Sequence, residues 1–515
     1  MFKDYIPIKV ALVSVYDKEN IVDFCSFLRS WGVKILSTGK TTSLLRQAGI
    51  ACQEIQEFTQ FPEILEGRVK TLHPKVFAGV LAKRDRKSLD VLKKIGSLPI
   101  DMVVVNFYPF WEKTKELKEL DRVVEFIDIG GPSLVRAGSK NFLNVCVVAD
   151  KKFYPLVKEE MSKNRGKVSF KLRKRLAIES FKICTIYNYH IFRYLDALDR
   201  KKDFSDYILL GLNKECALRY GENPHQKGYL YFFDIPVLGD RIQQYQGKQI
   251  SFNNILDIDR GIQILREFKQ SCCVIVKHNN PCGVCESASL LESYEKAYRT
   301  DPISSFGSIV GFNKRVDEKL AQVILDSGFR EIVFAPSFTK KALRVFFKKK
   351  NLIVCKVKLR FKDYNFDMKK IEGGVLLQEK DKILFFKNLI KIPTKSKPSS
   401  RKVWEDLIFG FKVVKHLKSN AICIVRDKTT LGLAGGEPSR IGAVKLAIQK
   451  AGDCKGAILA SDAFFPYPDS IEEAHKAGIK YIIQPGGSIR DKEVVSLCDK
   501  YGMSLILTGV RHFLH

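Results

Sequence analysis

Apolar residues recur along this chain in two periods, and the alternation between them sets the first structural expectations. Runs at 10–15 (VALVSV), 33–37, 102–106 and 145–148 are almost continuously aliphatic, as strands covered on both faces should be. Between them, 19–30 and 41–48 space their apolar positions at helical intervals. This order predicts a mostly parallel α/β sheet with ligands at the carboxyl ends of its strands. A long amphipathic helix follows. Leu172, Leu176, Ile183, Tyr187, Ile191 and Leu195 share one face, and Ser169 is placed to cap it. The polar run 201–205 reads as a boundary. A second α/β region starts near Asp206, with strands expected at 273–276, 309–312 and 332–335. Segment 392–401 (IPTKSKPSSR) holds two prolines and reads as a connector, and strands at 422–425, 457–459 and 481–483 follow it. No short-period repeat or low-complexity tract is present.

Length adds that 515 residues exceed one ordinary core. A hydrophobic content of 45% with 28% charged residues is that of a folded protein. No apolar run approaches the ~18 residues of a membrane span. Asp17 and Glu19 directly follow the first apolar run, so it reads as a buried strand rather than a signal peptide. Thirteen scattered cysteines in so long a chain suggest reduced thiols and a cytoplasmic location. The net charge of +30 brings a nucleic-acid partner into consideration. Much of the excess lies at 340–402, where twenty basic residues face five acidic ones. A solvated surface explains such a run. The functional reading is attraction of polyanionic ligands. No nucleic-acid-binding module is recognisable, which argues against nucleic acid as the partner.

Candidate chemistry begins at Ser37-Thr38-Gly39-Lys40-Thr41, after a strand and at the start of a helix, where free backbone amides favour phosphate. The end of this loop imitates a Walker A sequence, but Lys34 stands where its first glycine belongs, so a monophosphate site is expected. Segment 66–74 (EGRVKTLHP) offers Arg68 as a fork for an anion and Lys70 as a point charge for an oxyanion. Asn106-Phe107-Tyr108-Pro109-Phe110 ends a strand. Asp128-Ile129-Gly130-Gly131 frees backbone for close ligand approach, and Lys140-Asn141 follows a short helical stretch.

Together these segments resemble the IMP cyclohydrolase domain of the bifunctional purine-biosynthesis enzymes. The family usually reads STGGT, DGRVKTLHP, NLYPF, IDIGG and RAAAKN. Here Lys40, Glu66, Phe107 and Gly138-Ser139 depart from it. The resemblance implies that Ser14, Lys18, Ser37, Thr38, Gly39, Arg68 and Thr71 hold the nucleotide phosphate and ribose. It implies that Lys70, Tyr108, Asp128 and Lys140 serve the cyclisation. Attack of a carboxamide nitrogen on a formyl carbon of the same molecule needs a held conformer, a stabilised oxyanion and proton transfer.

The second half carries LRYGENPHQ at 218–226, VKHNNPCG at 276–283, DPISSFG at 301–307, KSNAI at 418–422, ASDAFFP at 460–466 and QPGGSIRD at 484–491. Histidine beside lysine at the end of a strand suits general-base work near neutral pH. These runs resemble the AICAR transformylase domain, in the same order. The resemblance spans nearly the whole chain and ends at Thr508-Gly509-Val510-Arg511-His512-Phe513. It implies 10-formyltetrahydrofolate as co-substrate, no required metal, and AICAR as formyl acceptor. His278 would take the amine proton, while Lys277 and Asn420 would orient groups or stabilise the oxyanion. Arg219 and Tyr220 would hold the nucleotide, and Ser461, Asp462, Phe464, Phe465 and Arg511 would lie at substrate. Glu437 departs from the family's glutamine and puts the contact made there in question.

Pro281-Cys282-Gly283-Val284-Cys285 matches half of a zinc nucleobase-deaminase signature, but no H-x-E lies upstream: His225 precedes Gln226 and Lys227. A zinc deaminase fused to a phosphate-binding domain is therefore the alternative enzyme, and a basic nucleic-acid-binding protein the alternative class. The expected architecture is α/β. A methylglyoxal-synthase-like parallel-sheet domain at about 1–200 precedes two cytidine-deaminase-like α/β/α halves at about 201–390 and 391–515. The resemblance also implies a homodimer with transformylase sites at the subunit interface.

Overall fold

The aliphatic runs of the first region form five strands: Val10–Ser14 (β1), Lys34–Ser37 (β2), Gln53–Glu54 (β3), Met102–Val105 (β4) and Cys146–Val148 (β5). All neighbours are parallel, in the order β3-β2-β1-β4-β5. Successive side chains enter opposite cores. Ala11 and Val13 pack with Phe24 and Leu28, whereas Leu12 packs with Val76, Val103 and Leu134. Burial on both faces explains why the sequence shows runs rather than alternation. Helices Ile21–Ser30 (α1), Gly39–Gln47 (α2), Gly130–Lys140 (α3) and Phe170–Asp196 (α4) accompany the sheet. Ser169 caps α4, its Oγ accepting the Leu172 N–H at 3.2 Å. The strand order reverses direction between β1 and β4, so a crevice opens beyond the carboxyl ends of those two strands.

This is a computed structural model, and it describes residues 3–198, 207–233, 242–360 and 365–515. The expected boundary at 201–205 lies outside the described residues. The chain divides into two units, Met1–Gly211 and Leu212–His515. No helix among the described residues is long and apolar enough to cross a membrane.

The second unit is built on one sheet of eleven strands. In chain order they are Ile242–Gln246 (β6), Ser271–Lys277 (β7), Asn280–Ser287 (β8), Ile309–Phe312 (β9), Ile332–Ala335 (β10) and Ile353–Val357 (β11). Then come Ile422–Arg426 (β12), Thr429–Ala434 (β13), Ile458–Ser461 (β14), Tyr481–Gln484 (β15) and Ser504–Leu507 (β16). The spatial order is β6-β11-β10-β9-β7-β8-β13-β12-β14-β15-β16. The two α/β halves expected from the sequence are thus joined edge to edge, where Cys285 of β8 pairs with Thr429 of β13. Each half repeats one plan. A hairpin (β7–β8, β12–β13) is followed by a strand antiparallel to its first arm (β9, β14), then by two parallel strands (β10–β11, β15–β16).

The covering helices repeat too. They are Phe252–Leu265 (α5) and Leu290–Thr300 (α6) in the first half, and Arg401–Val414 (α7) and Arg440–Ala451 (α8) in the second. A Cβ on Gly283 would lie 2.1 Å from the Ala297 carbonyl of α6, and one on Gly432 2.1 Å from the Ala447 carbonyl of α8. Only glycine allows either helix to lie so close to its hairpin. Two hairpins that the patterning did not predict, Leu212–Ala217 with Tyr229–Phe233 and Phe366–Ile371 with Gly374–Glu379, stand outside the main sheet with most side chains exposed or half-exposed.

Candidate active sites

In the first unit, the end of β1 and the start of α2 form a hydroxyl-lined loop. Ser14 Oγ and Thr38 Oγ1 share a hydrogen bond of 2.9 Å. Thr41 Oγ1 donates to the Val15 carbonyl at 3.1 Å, and Lys18 Nζ donates to the same carbonyl at 2.8 Å. Ser37 Oγ and Thr42 Oγ1 are buried with no partner. Thr38 occupies the N-cap of α2 without capping it, so the first amides of the helix remain open. Orphaned hydroxyls and free amides at a helix N-terminus make an anion site. Lys40 leaves this geometry intact. Gly39 takes the positive φ, +34°, while Lys40 sits inside the helix with its side chain exposed. Burial and the charge of Lys40 both push the Lys18 ammonium down from its usual range.

Lys70, Tyr108 and Asp128 are brought together beside this loop. Burial pushes the Asp128 carboxyl above the ordinary aspartate range, opposed by backbone N–H groups of Gly131, Tyr108 and Gly130 and by Lys70. The Gly131 N–H donates to Asp128 Oδ1 at 2.8 Å. The Tyr108 phenol is raised by burial first and then by the Asp128 charge, with Lys70 acting in the opposite sense. Thr71 is buried, and its Oγ1 would lie 3.1 Å from a Cβ placed on Gly130. Two expected anion ligands already hold a carboxylate: Lys70 pairs with Glu63 at 2.8 Å, and Arg68 Nε with Glu125 at 3.3 Å.

Lys140 is not brought to this group. It ends α3, whose first turn lies beside Asp128, and ten residues of helix separate them by about 15 Å. Sequence reasoning also passed over Glu63, Glu125 and Tyr187. Tyr187 lies on the apolar face of α4. Its hydroxyl accepts the Asp128 N–H at 2.7 Å and donates to the Phe126 carbonyl at 2.9 Å. The signal was there, since a buried tyrosine needs a partner for its hydroxyl.

In the second unit, strand register gathers distant motifs at one end of the sheet. The β7–β8 turn places His278 and Asn279 next to Asn280, the first residue of β8. Strand β13 runs antiparallel to β8 and ends at Ala434, which pairs with Ile422, the first residue of β12. Ile422 in turn pairs with Ser461, the last residue of β14. Residues 277–280, 420, 435–440 and 461–465 therefore share an end, although they lie far apart in the chain. His278 is exposed, with φ +52°, and Lys277 Nζ donates to the Phe306 carbonyl at 2.9 Å. Arg219 Nη2 donates to the Tyr220 hydroxyl at 2.9 Å, while its Nε is buried without a partner.

Arg440, the arginine that closes the run 435–440, is the hub of this end. Its guanidinium pairs with Asp462 and donates to Ser461 Oγ at 3.1 Å, to the Ala421 carbonyl at 3.1 Å and to Asn420 Oδ1 at 2.8 Å. Asn420 Nδ2 donates to the carbonyls of Glu437 at 2.9 Å and Pro438 at 3.2 Å. Glu437 thus meets Asn420 through its backbone carbonyl. Ser461 and Asp462 are fully buried in this network. Phe465 is fully buried in the apolar core, whereas Phe464 is half-buried. Arg511 is exposed, its guanidinium 4.2 Å from the ring centre of Phe513.

The cysteines of the half-signature serve the core. Cys282 Sγ donates to the Ile275 carbonyl at 3.6 Å, and Cys285 Sγ lies 3.1 Å from Thr429 Oγ1. Burial raises the two thiols to about 12 and about 11. Among the described residues, no cluster of three or more His, Cys, Asp or Glu side chains has metal-site geometry.

A parallel sheet with an open helix N-terminus, followed by a mixed sheet displaying a Lys-His turn, defines a two-centre α/β enzyme for an anionic substrate. Residues 20–133 match the MGS-like domain, and residues 138–450 match the family described as AICARFT/IMPCHase bienzyme. The chain is 47% identical to the bifunctional purine biosynthesis protein PurH of Caldicellulosiruptor bescii, across 98% of this chain and 100% of the relative. It is 45% identical to the protein of that name from Clostridium acetobutylicum, across 99% and 100%. The solved structure of ForH matches 36% of this chain and 99% of its own length, at 30% identity and a TM-score of 0.33. The chain belongs to the AICARFT/IMPCHase bienzyme family. It transfers a formyl group from 10-formyltetrahydrofolate to AICAR and closes formyl-AICAR to IMP, the last two steps of purine synthesis.

Proposed function

We propose that ring closure is performed in the first unit by Lys70, Tyr108 and Asp128, and formyl transfer in the second by Lys277 and His278. The carrying observation is the separate gathering of these two sets, each at one end of its own sheet. In the first, the phosphate of formyl-AICAR sits at the amides of α2 with Ser14, Ser37, Thr38, Gly39 and Lys18, displacing Glu63 from Lys70. Arg68 and Thr71 flank the ribose and phosphate. The carboxamide nitrogen attacks the formyl carbon. Lys70 stabilises the oxyanion, and Tyr108 and Asp128 move the protons released as water leaves. Lys140 stands outside this set.

In the second, the 5-amino group of AICAR attacks the formyl carbon of the folate. His278 takes the amine proton, Lys277 stabilises the tetrahedral oxyanion, and N10 of the folate departs with the proton that His278 returns. Arg219, with its unpartnered Nε, and Tyr220 hold the nucleotide, while Phe464 and Arg511 face substrate at the same end. Asn420, Ser461 and Asp462 act through Arg440 to fix that end, and Phe465 supports it from the core.

We further assign the protein to the cytoplasm, which its free and mostly buried cysteines support. A homodimer is supported by the apolar side chains displayed on the two outlying hairpins, among them Leu212, Tyr229, Val375 and Leu376.

The test uses AICAR and 10-formyltetrahydrofolate together. The native protein yields IMP. Lys70→Ala yields formyl-AICAR that fails to close, with a loss in ring-closure rate of about 10²-fold or more. Undiminished closure by that variant would refute the assignment of the first site.

A further inference from the structure

The internal repeat gives the catalytic turn a counterpart without catalytic residues. In the first half, β7 and β8 are joined by His278-Asn279, with φ +52° and +61°. In the second, β12 and β13 are joined by Asp427-Lys428, with φ +54° and +49°. Both are two-residue turns with two left-handed residues, the type I′ geometry that normally calls for Asn-Gly or Asp-Gly. Neither contains glycine, so each needs outside support.

Each turn receives it from an aspartate on the helix that precedes its hairpin, Asp406 buried and Asp257 half-buried. Asp406 of α7 accepts the N–H of Asp427 at 3.0 Å and that of Lys428 at 2.6 Å. Asp257 of α5 accepts the Asn279 N–H. One turn further along α5, Arg260 Nε donates to Asn279 Oδ1 at 3.3 Å. The two turns carry different residues. Asp427 pairs with Lys402, whereas His278 projects into solvent beside Lys277. Burial raises the Asp257 carboxyl, opposed by the Asn279 N–H and by the charge of the neighbouring His278.

We propose that Asp257 is a positioning residue for formyl transfer, fixing the left-handed turn that presents the His278 imidazole. The inference rests on the assignment of His278 as the base. An imidazole on an unsupported turn would sample several positions, and a misplacement of about 1 Å at a reacting group can cost about 10²-fold in rate. Asp406 makes the same kind of bond for a turn without catalytic residues, so it separates what such a carboxylate does for folding from what it does for chemistry.

The experiment compares Asp257→Ala, Asp257→Asn, Asp406→Ala and His278→Ala in the full-length protein. It measures kcat and KM for formyl transfer, ring closure of supplied formyl-AICAR, and Tm. Asp257→Ala should lower kcat of formyl transfer by about 10- to 10²-fold with KM for AICAR within about twofold. Asp257→Asn, whose amide oxygen still accepts the Asn279 N–H, should recover most of that loss. Asp406→Ala should lower Tm comparably and leave kcat unchanged below the transition. Ring closure should persist in all four. Native kcat in Asp257→Ala would overturn the inference, as would equal kcat losses in Asp257→Ala and Asp406→Ala. Native formyl transfer in His278→Ala would instead overturn the assignment of the base itself.

Discussion

At the residue scale, side chains chosen from motifs divide between those facing open space and those holding the site together. Ser461, Asp462 and Asn420 stand within the expected substrate motifs, yet each is tied to Arg440. The sequence could not disclose this, because Arg440 begins an ordinary helix and its partners arrive from two other strands. The charges are deeply placed, with side-chain exposures of 5% for Arg440 and 0% for Asp462. Arg440→Ala would leave Asp462 buried without its cation, at a cost of about 3–5 kcal/mol. Denaturant unfolding should show that loss in the second unit. Ring closure of supplied formyl-AICAR should survive under conditions where formyl transfer is lost. Stability within about 0.5 kcal/mol of native would mean that the pair contributes little. Of the departures from family pattern, Lys40 lies outside the left-handed backbone region and Glu437 offers its carbonyl to Asn420 Nδ2.

At the element scale, the aliphatic strands and the capped helix α4 were legible because burial on both faces and a 3.6-residue stripe leave plain signatures. The outlying hairpins were not, since most of their side chains face solvent and no core imposes a period on them. The repeat between the halves of the large sheet was implied by the family resemblance and not by the patterning. Its recurring parts are two close glycines and two aspartate-held turns, while the residues between them differ. Gly432 tests this packing. A methyl group there would meet the Ala447 carbonyl at 2.1 Å, with backbone on both sides and no flexible side chain to yield. Gly432→Ala should destabilise the protein by about 1–3 kcal/mol or more, read as a lowered Tm. An unchanged Tm would show that α8 can move away from its hairpin at little cost.

At the scale of the whole molecule, the division of labour was legible from the order of the motifs, whereas the convergence of 277–280, 420, 435–440 and 461–465 was not. That convergence depends on antiparallel pairing between strands about 145 residues apart, as in Cys285 with Thr429, and local patterning carries no register information over such a span. Among the described basic residues of 340–402, Lys340, Lys341 and Arg344 lie on a helix, Lys356 on a strand and Lys369 and Lys370 on a hairpin. Joining the two centres on one chain has a chemical rationale, because formyl transfer to a weakly nucleophilic amine is readily reversed and ring closure removes its product. Two independent sites for the two steps should be separable by mutation. The most direct measurement assays each half-reaction separately in His278→Ala. Formyl transfer should fall by about 10²- to 10⁴-fold while closure of supplied formyl-AICAR keeps its native rate. Loss of both activities, with circular dichroism and Tm unchanged, would contradict the account.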